Sequence, residues 1–155
     1  MNQVALLIGG NQGDRKALIE AATALIRQRI GTVALFSSIH ETAPWGTFDD
    51  SPLPFLNQAL IVDTPLTAHE VLHEAMCIEH ELGRRRKDGA SAYSSRPMDI
   101  DLIFFNDDII DTPDLTIPHP RMHLRRFVLE PLAEVMPDYR HPTLGKTVKQ
   151  LLYEA

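Results

Sequence analysis

An α+β fold, with helices packed on a mostly antiparallel sheet, is predicted by three features of this sequence. Hydrophobic segments of strand and helix period follow one another in the order βαββαβ. A length of 155 residues leaves room for a single domain over 1–155. Hydrophobic residues at 44% and charged residues at 23% belong to an ordinary globular protein and argue against disorder, collagen and coiled coil. The element order is the ferredoxin-like one, and the expected architecture is a three-layer αβα sandwich around the sheet.

The elements justify themselves in turn. Residues 3–8 (QVALLI) are a short apolar run stopping at Gly9 and Gly10, the pattern of a buried strand running into a tight loop. Asp14 can cap a helix whose apolar positions Leu18, Ala22 and Leu25 recur at three and four, with Gly31 just past its end. Residues 32–43 alternate as a second strand. Residues 44–54 hold three prolines, a glycine and two acids, a composition that prevents regular structure. Residues 55–64 alternate as a third strand. Thr67 and Glu70 then form a capping box for a second helix, whose face Val71, Ala75, Ile78 and Leu82 runs to Gly83. Residues 84–97 are a polar loop, residues 98–105 a fourth strand, and Asn106 to Asp108 a turn. The stretch 111–126 reads as irregular and marked by prolines; 127–135 and 147–155 read as short helices. Two loops of 11 and 14 residues are long for so small a domain, and such loops often carry function.

Composition narrows the function classes. The lone Cys77 can form no internal disulfide, and the first residues have neither the charged segment nor the apolar run of a secretory signal. No stretch approaches the roughly 20 apolar residues of a membrane helix. A cytoplasmic protein with no membrane and no obligate protein partner is the expectation. Fifteen basic against 21 acidic residues give a net charge of −6, which disfavours a general nucleic-acid binder. Yet eight of the fifteen basic residues, Arg84, Arg85, Arg86, Lys87, Arg96, Arg121, Arg125 and Arg126, fall within 84–126. A local anion site for a small, highly charged ligand such as a nucleotide polyphosphate fits this clustering; a solvated charged face is the plainer alternative.

Asp99 and Asp101 open the fourth strand. Alternation puts both carboxylates on one face, roughly 7 Å apart. Like charges so placed repel unless a cation lies between them, and oxygen ligands suit one or two Mg²⁺ ions that share their shell with phosphates. Two solvated acids at a wet strand end would look the same. Arginines and one histidine bracket the pair, with Arg84, Arg86 and Arg96 before it and His119, Arg121, Arg125 and Arg126 after it. The planar fork of arginine holds phosphate oxygens in pairs, so the combination makes a coherent polyphosphate site. The segment GGNQGD lacks the lysine and threonine of a phosphate loop and reads as a tight turn.

Rival patterns are present. His69, Glu70 and His73 form the HExxH pattern of zinc peptidases on a helix, but no third ligand follows at a usual spacing, and His40, His80 and His141 stand without supporting pattern. A polar, histidine-rich helix face explains them better. An RNA-binding module would need basic and aromatic residues where strand four has acids. A nucleotidyltransferase could use the glycines and the acid pair, but Gly10 and Asp99 are far apart in sequence.

With these residues assembled, nearly the whole chain resembles the 6-hydroxymethyl-7,8-dihydropterin pyrophosphokinase family of folate biosynthesis. LLIGGNQGDR resembles that family's opening strand and loop, ETAPWG followed by FLNQAL its pterin-binding segment, and IEHELGRRRK, SSRPMDIDLIFF and LTIPHPRMHLRRFVLEPLAE its nucleotide-side motifs in order. The resemblance implies a ferredoxin-like sandwich that transfers the diphosphoryl group of ATP to the pterin hydroxymethyl oxygen and releases AMP. It implies Asp99 and Asp101 as holders of two Mg²⁺ ions, Arg84, Arg86 and Arg96 as mobile-loop residues near ATP, Arg84 and Arg96 also serving catalysis, and His119 and Arg125 as phosphate contacts. Phe55 and Phe127 match the aromatic pair around the pterin, Asn57 the side chain reading its polar edge, and Thr42, Ala43 and Trp45 the backbone groups completing recognition. Glu79 matches a helix acid facing the site. By periodicity alone, Phe55 and Phe127 would be ordinary core residues.

The chain departs from the pattern at Ala92, Tyr93 and Ser94, where family members commonly carry basic, tryptophan and glycine residues, and at Pro120, where some have tyrosine. Mechanistically the resemblance implies in-line attack of the hydroxyl on the β-phosphorus without a nucleophilic side chain, with loops 46–54 and 84–97 closing to exclude water.

Overall fold

The central strand of the sheet is β1 (Asn2–Gly10), and everything else is arranged around it in this computed structural model, which describes residues 1–42, 54–83 and 97–155. All residues from Val4 to Gly10 are buried, which explains a continuous apolar run where a half-exposed strand would alternate. β1 pairs antiparallel with β4 (Phe55–Thr64) on one side and with β5 (Asp99–Phe105) on the other. β2 (Thr32–Phe36) and β3 (His40–Thr42) both pair antiparallel with β4. The order β2-β4-β1-β5 is the ferredoxin-like one, and the main sheet is antiparallel throughout.

Two helices cover one face. α1 (Arg15–Arg29) starts where the Asp14 carboxylate accepts the Ala17 N–H at 3.1 Å. Its buried line runs through Ile19, Ala22 and Ile26, with Leu18 and Leu25 at the margin. α2 (Ala68–Glu81) carries the expected capping box, Thr67 and Glu70 each accepting the other's backbone N–H. Both pack on Val4, Leu6, Ile8, Leu60, Val62, Ile100 and Leu102. α3 (Arg126–Val135) and α4 (Val148–Glu154) cover the other face through Val128, Leu129, Leu132, Val148 and Leu151, over Ala5, Leu7, Ala59, Ile61, Ile103 and Phe104. The three layers αβα are therefore present.

The expected second strand is broken in two. The Ser37 hydroxyl accepts the Ala59 N–H at 2.9 Å, while the Ser37 carbonyl accepts from the Gln58 side chain at 2.7 Å. A side-chain oxygen thus takes a ladder acceptor's place, which β2 and β3 flank. β1 also runs two residues further than its apolar pattern, through both glycines, and the tight turn falls on 11–14 with Gly13 at φ 68°. Within the stretch expected to be irregular lies a small hairpin, β6 (Ile110–Asp111) with β7 (Thr116–Ile117), and a 3₁₀ turn at Met122–Leu124. Strands of two residues leave no periodicity to read.

Candidate active site

Strand register gathers the predicted residues. Gly9 lies opposite Asn57 on one side and Asp99 on the other; Leu7 lies opposite Ala59 and Asp101. Directly opposed residues project to the same face. Leu7 and Ala59 belong to the core beneath α3 and α4, so Asn57, Asp99 and Asp101 project on that face. Phe55 sits two residues before Asn57, and Thr42 lies opposite Phe55. Asn57 is 7% exposed, and its Nδ2 is 3.4 Å from Thr42 Oγ1. A Cβ on Gly9 would lie 1.9 Å from the Leu56 carbonyl oxygen and 2.7 Å from Asn57 Oδ1, so only glycine leaves room for this approach of β4.

The acid pair stands at the start of β5. Ile100 and Leu102 are each 5% exposed and turn into the α1–α2 core, leaving Asp99 and Asp101 partly exposed on the opposite face. α2 supports this strand: the buried Glu79 carboxylate accepts the Ile100 N–H at 2.6 Å, a charge-assisted bond to the residue between the two aspartates. Among the described residues no three or more His, Cys, Asp or Glu side chains converge as a metal cage. Two hard carboxylates on one face fit Mg²⁺, which completes its shell with water and phosphate oxygens, and do not fit a zinc cage.

The segment after β7 brings positive charge to the acids. The His119 N–H donates to the Ile103 carbonyl at 3.0 Å, tying this segment to β5. Burial, reinforced by the Arg125 charge, opposed by Asp99 and reinforced again by Arg121, pushes the His119 imidazole down to about 4. It is neutral at physiological pH. His119 Nδ1 accepts the Arg121 N–H at 3.2 Å, which assigns the ring proton to Nε2 and makes that atom a donor. Arg125 places its guanidinium carbon 5.7 Å from the Phe127 ring centroid, within cation–π range. Phe127 is half-buried at the start of α3 and packs against the core there, so the core packing that periodicity expects is combined with partial exposure.

Thr42, Phe55, Asn57, Asp99 and Asp101 are thus carried by neighbouring strands at one end of the sheet, Phe127 packs on the core of the same face with Arg125 beside its ring, and His119 is tied to β5 within range of the Asp99 charge. Ala43, Trp45, Arg84, Arg86 and Arg96 lie outside the described residues, as do Ala92, Tyr93 and Ser94 and nearly all of both loops expected to close. The sequence separation of Gly10 and Asp99 misleads: β1 and β5 are neighbours, and Gly9 faces Asp99. The HExxH residues have other partners. His69 contacts Thr112 and Asp114, Glu70 serves the capping box, and His73 lies 3.7 Å from the Cys77 sulfur.

Sequence reasoning passed over one cluster beside the site. His40, opposite Asn57 in register, pairs with Glu134 of α3, and the Ser38 N–H and hydroxyl also donate to Glu134. The Ser38 N–H, with the His40 and Ser38 side chains, holds the Glu134 carboxyl below the usual range. These bonds join α3, and with it Phe127, to the β2–β3 break. No local pattern could announce a contact spanning 94 residues.

Residues 5–137 match the family model described as 7,8-dihydro-6-hydroxymethylpterin-pyrophosphokinase (HPPK). A 2-amino-4-hydroxy-6-hydroxymethyldihydropteridine pyrophosphokinase of Porphyromonas gingivalis is 39% identical over 140 residues, covering 90% of this chain and 93% of the relative. A protein of the same name from Bacillus subtilis is 42% identical over 137 residues, covering 87% and 79%. Among solved structures, the Plasmodium falciparum HPPK-DHPS wild type with pteroate superposes with a TM-score of 0.78 at 18% identity, a likeness of fold. It covers 99% of this chain, which spans 42% of that longer one. An acid pair on β5, an asparagine and an aromatic beside it on β4, and a match over most of the sequence agree: the chain belongs to the 7,8-dihydro-6-hydroxymethylpterin-pyrophosphokinase family.

Proposed function

We propose that this chain, as a single cytoplasmic domain over 1–155, transfers the diphosphate of ATP to 6-hydroxymethyl-7,8-dihydropterin in folate biosynthesis. The hydroxyl oxygen bonds to the β-phosphorus, the bond from that phosphorus to the oxygen bridging to the α-phosphate breaks, AMP leaves with that oxygen, and the hydroxyl proton goes to solvent. The observation that carries the reading is the register that sets Asp99 and Asp101 on the same face and end of the sheet as Asn57 and Phe55.

Asp99 and Asp101 are the residues that would hold Mg²⁺, two ions in this reading. Bound there, the metal would neutralise phosphate charge and lower the proton affinity of a coordinated alcohol. The neutral His119 donates its Nε2–H to a phosphate oxygen, and its lack of charge keeps it from competing with the carboxylates' partner. Arg125 contributes fixed positive charge, and Arg84, Arg86 and Arg96 supply more, with Arg84 and Arg96 acting in catalysis. On the pterin side, Phe55 and Phe127 hold the ring by its faces, Asn57 reads its polar edge, and Thr42, Ala43 and Trp45 complete recognition. No side chain needs to act as nucleophile, because positioning and charge carry phosphoryl transfer.

The test is release of AMP from ATP, Mg²⁺ and the pterin, with the pterin diphosphate identified by mass. AMP should form only when both substrates are present. Formation of ADP, or AMP formation independent of the pterin, would overturn the reading.

A further inference from the structure

Arg15 occupies a position that the needs of its own helix do not explain. It is the first residue of α1, where the helix dipole presents its positive end, and no acid shares that first turn. A cation there opposes the dipole, so α1 does not need Arg15 for its own stability. The side chain instead leaves the helix for the end of the sheet. Its Nη1 donates to the Pro54 carbonyl at 2.8 Å and lies 3.8 Å from Glu41 Oε2. The Arg15 side chain is 23% exposed and that of Glu41 60%.

Both partners adjoin the proposed pterin site. Pro54 immediately precedes Phe55, and Glu41 immediately precedes Thr42. In the β3–β4 ladder Glu41 lies opposite Leu56 and Thr42 opposite Phe55. β3 has only three residues, so it holds its last pair with few backbone bonds of its own. One guanidinium therefore reaches the end of β3 and the start of β4 together, beside the Thr42–Asn57 contact.

We infer that Arg15 is a positioning residue for the pterin: by holding Pro54 and Glu41 it sets the placement of Phe55 and Thr42 against Asn57, without touching the substrate. This rests on the function proposed above. The main bond, from a charged donor to a carbonyl, is of the stronger kind, while the 3.8 Å approach to the exposed Glu41 adds a weaker, salt-sensitive attraction. Removing the side chain frees the strand ends and penalises only the ligand that needs them in place.

The experiment compares Arg15→Ala, Arg15→Lys and Phe55→Ala with the unaltered full chain. Pterin affinity is measured by calorimetry, KM for each substrate in the AMP-release assay, and Tm by scanning calorimetry. Arg15→Ala should weaken pterin binding about tenfold, the scale of one charge-assisted hydrogen bond. KM for ATP should stay within about twofold and Tm within a few degrees, because the bond's partners adjoin Phe55 and Thr42 on β4 and β3 and not the acid pair of β5, and α1 loses an unfavourable charge. Arg15→Lys, keeping charge and reach, should recover most of the loss. Pterin affinity unchanged in Arg15→Ala would overturn the inference. So would a parallel fall of pterin affinity, ATP affinity and Tm, which marks general structural damage. Phe55→Ala separates the two levels: if it weakens pterin binding and Arg15→Ala does not, only the role of Arg15 fails; if the unaltered chain binds no pterin, the functional reading itself fails.

Discussion

The Glu79 carboxylate accepts the Ile100 N–H at 2.6 Å, so a buried acid of α2 grips the backbone of β5 midway between Asp99 and Asp101. Among the described strands of the main sheet β5 pairs with β1 alone, and Glu79 supplies a further fixed acceptor to its backbone. The bond aims the acid pair from beneath.

Replacing Glu79 by Ala leaves a buried N–H without its acceptor and should cost about 1–3 kcal/mol of stability. Glu79→Gln keeps an acceptor oxygen and should recover much of that. If the bond also orients the acid pair, Glu79→Ala should lower kcat more than it raises KM for the pterin. Chemical denaturation and steady-state kinetics on both variants check this. Equal stability of Glu79→Ala and the unaltered protein would remove the bond's importance.

Asp99→Asn and Asp101→Asn keep side-chain size and each delete one charge at the partly exposed start of β5. Turnover should fall on the order of 10³ or more, as for loss of a charge contact in phosphoryl transfer. Pterin alone should bind within a few fold of the unaltered protein, because the β4 and α3 residues are untouched. Raising Mg²⁺ should restore part of the loss where metal affinity is the defect. Near-normal AMP release by either variant at ordinary Mg²⁺ would reduce the pair to a solvated strand end.

Phe55 and Phe127 are both half-buried. Truncating either to Ala should raise the pterin Kd roughly 30-fold, about 2 kcal/mol for a buried aromatic anchor, and leave ATP binding nearly unchanged. Calorimetric titration of each folded variant decides. Arg125 beside the Phe127 ring predicts a further asymmetry: Phe127→Ala removes its cation–π partner, so this variant should perturb ATP slightly more than Phe55→Ala does.

Away from the site, the Tyr139 hydroxyl donates to the Asn106 carbonyl at 2.5 Å, and its ring centroid lies 4.4 Å from that of Phe104. Burial, with Asp107 and Asp108 nearby, pushes the phenol up to about 12 from its ordinary 10.0. The folded state therefore holds this proton more tightly than the unfolded chain does. Its contribution is complete below pH 10 and is lost as pH rises from 10 towards 12. Solvent around the half-exposed ring limits the effect to about 1 kcal/mol. Tyr139→Phe should be less stable at neutral pH, and the difference from the unaltered protein should shrink over that alkaline window. Urea midpoints at several pH values measure it; a constant difference would show that the phenol does not titrate differently on folding.

Local signals determined much of this protein. The βαββαβ order, the α2 capping box at Thr67 and Glu70, the short C-terminal helices and the shared face of Asp99 and Asp101 follow from side-chain periods of 3.6 and 2, which neighbouring residues express by themselves. The family resemblance drew on the same local strings. What the sequence left open was non-local. The register of β1 against β4 and β5 puts Asn57 and Asp99 on either side of Gly9, and hydrogen bonds spanning tens of residues join Glu79 to Ile100, Ser37 to Ala59 and Arg15 to Pro54. A slip of one residue in either ladder would send Asn57 or the acid pair to the opposite face with no change in local pattern. Burial of Leu7 and Ala59 under α3, and of Val4, Leu6 and Ile8 under α1 and α2, forbids that slip, so packing of the two outer layers decided where the site residues meet.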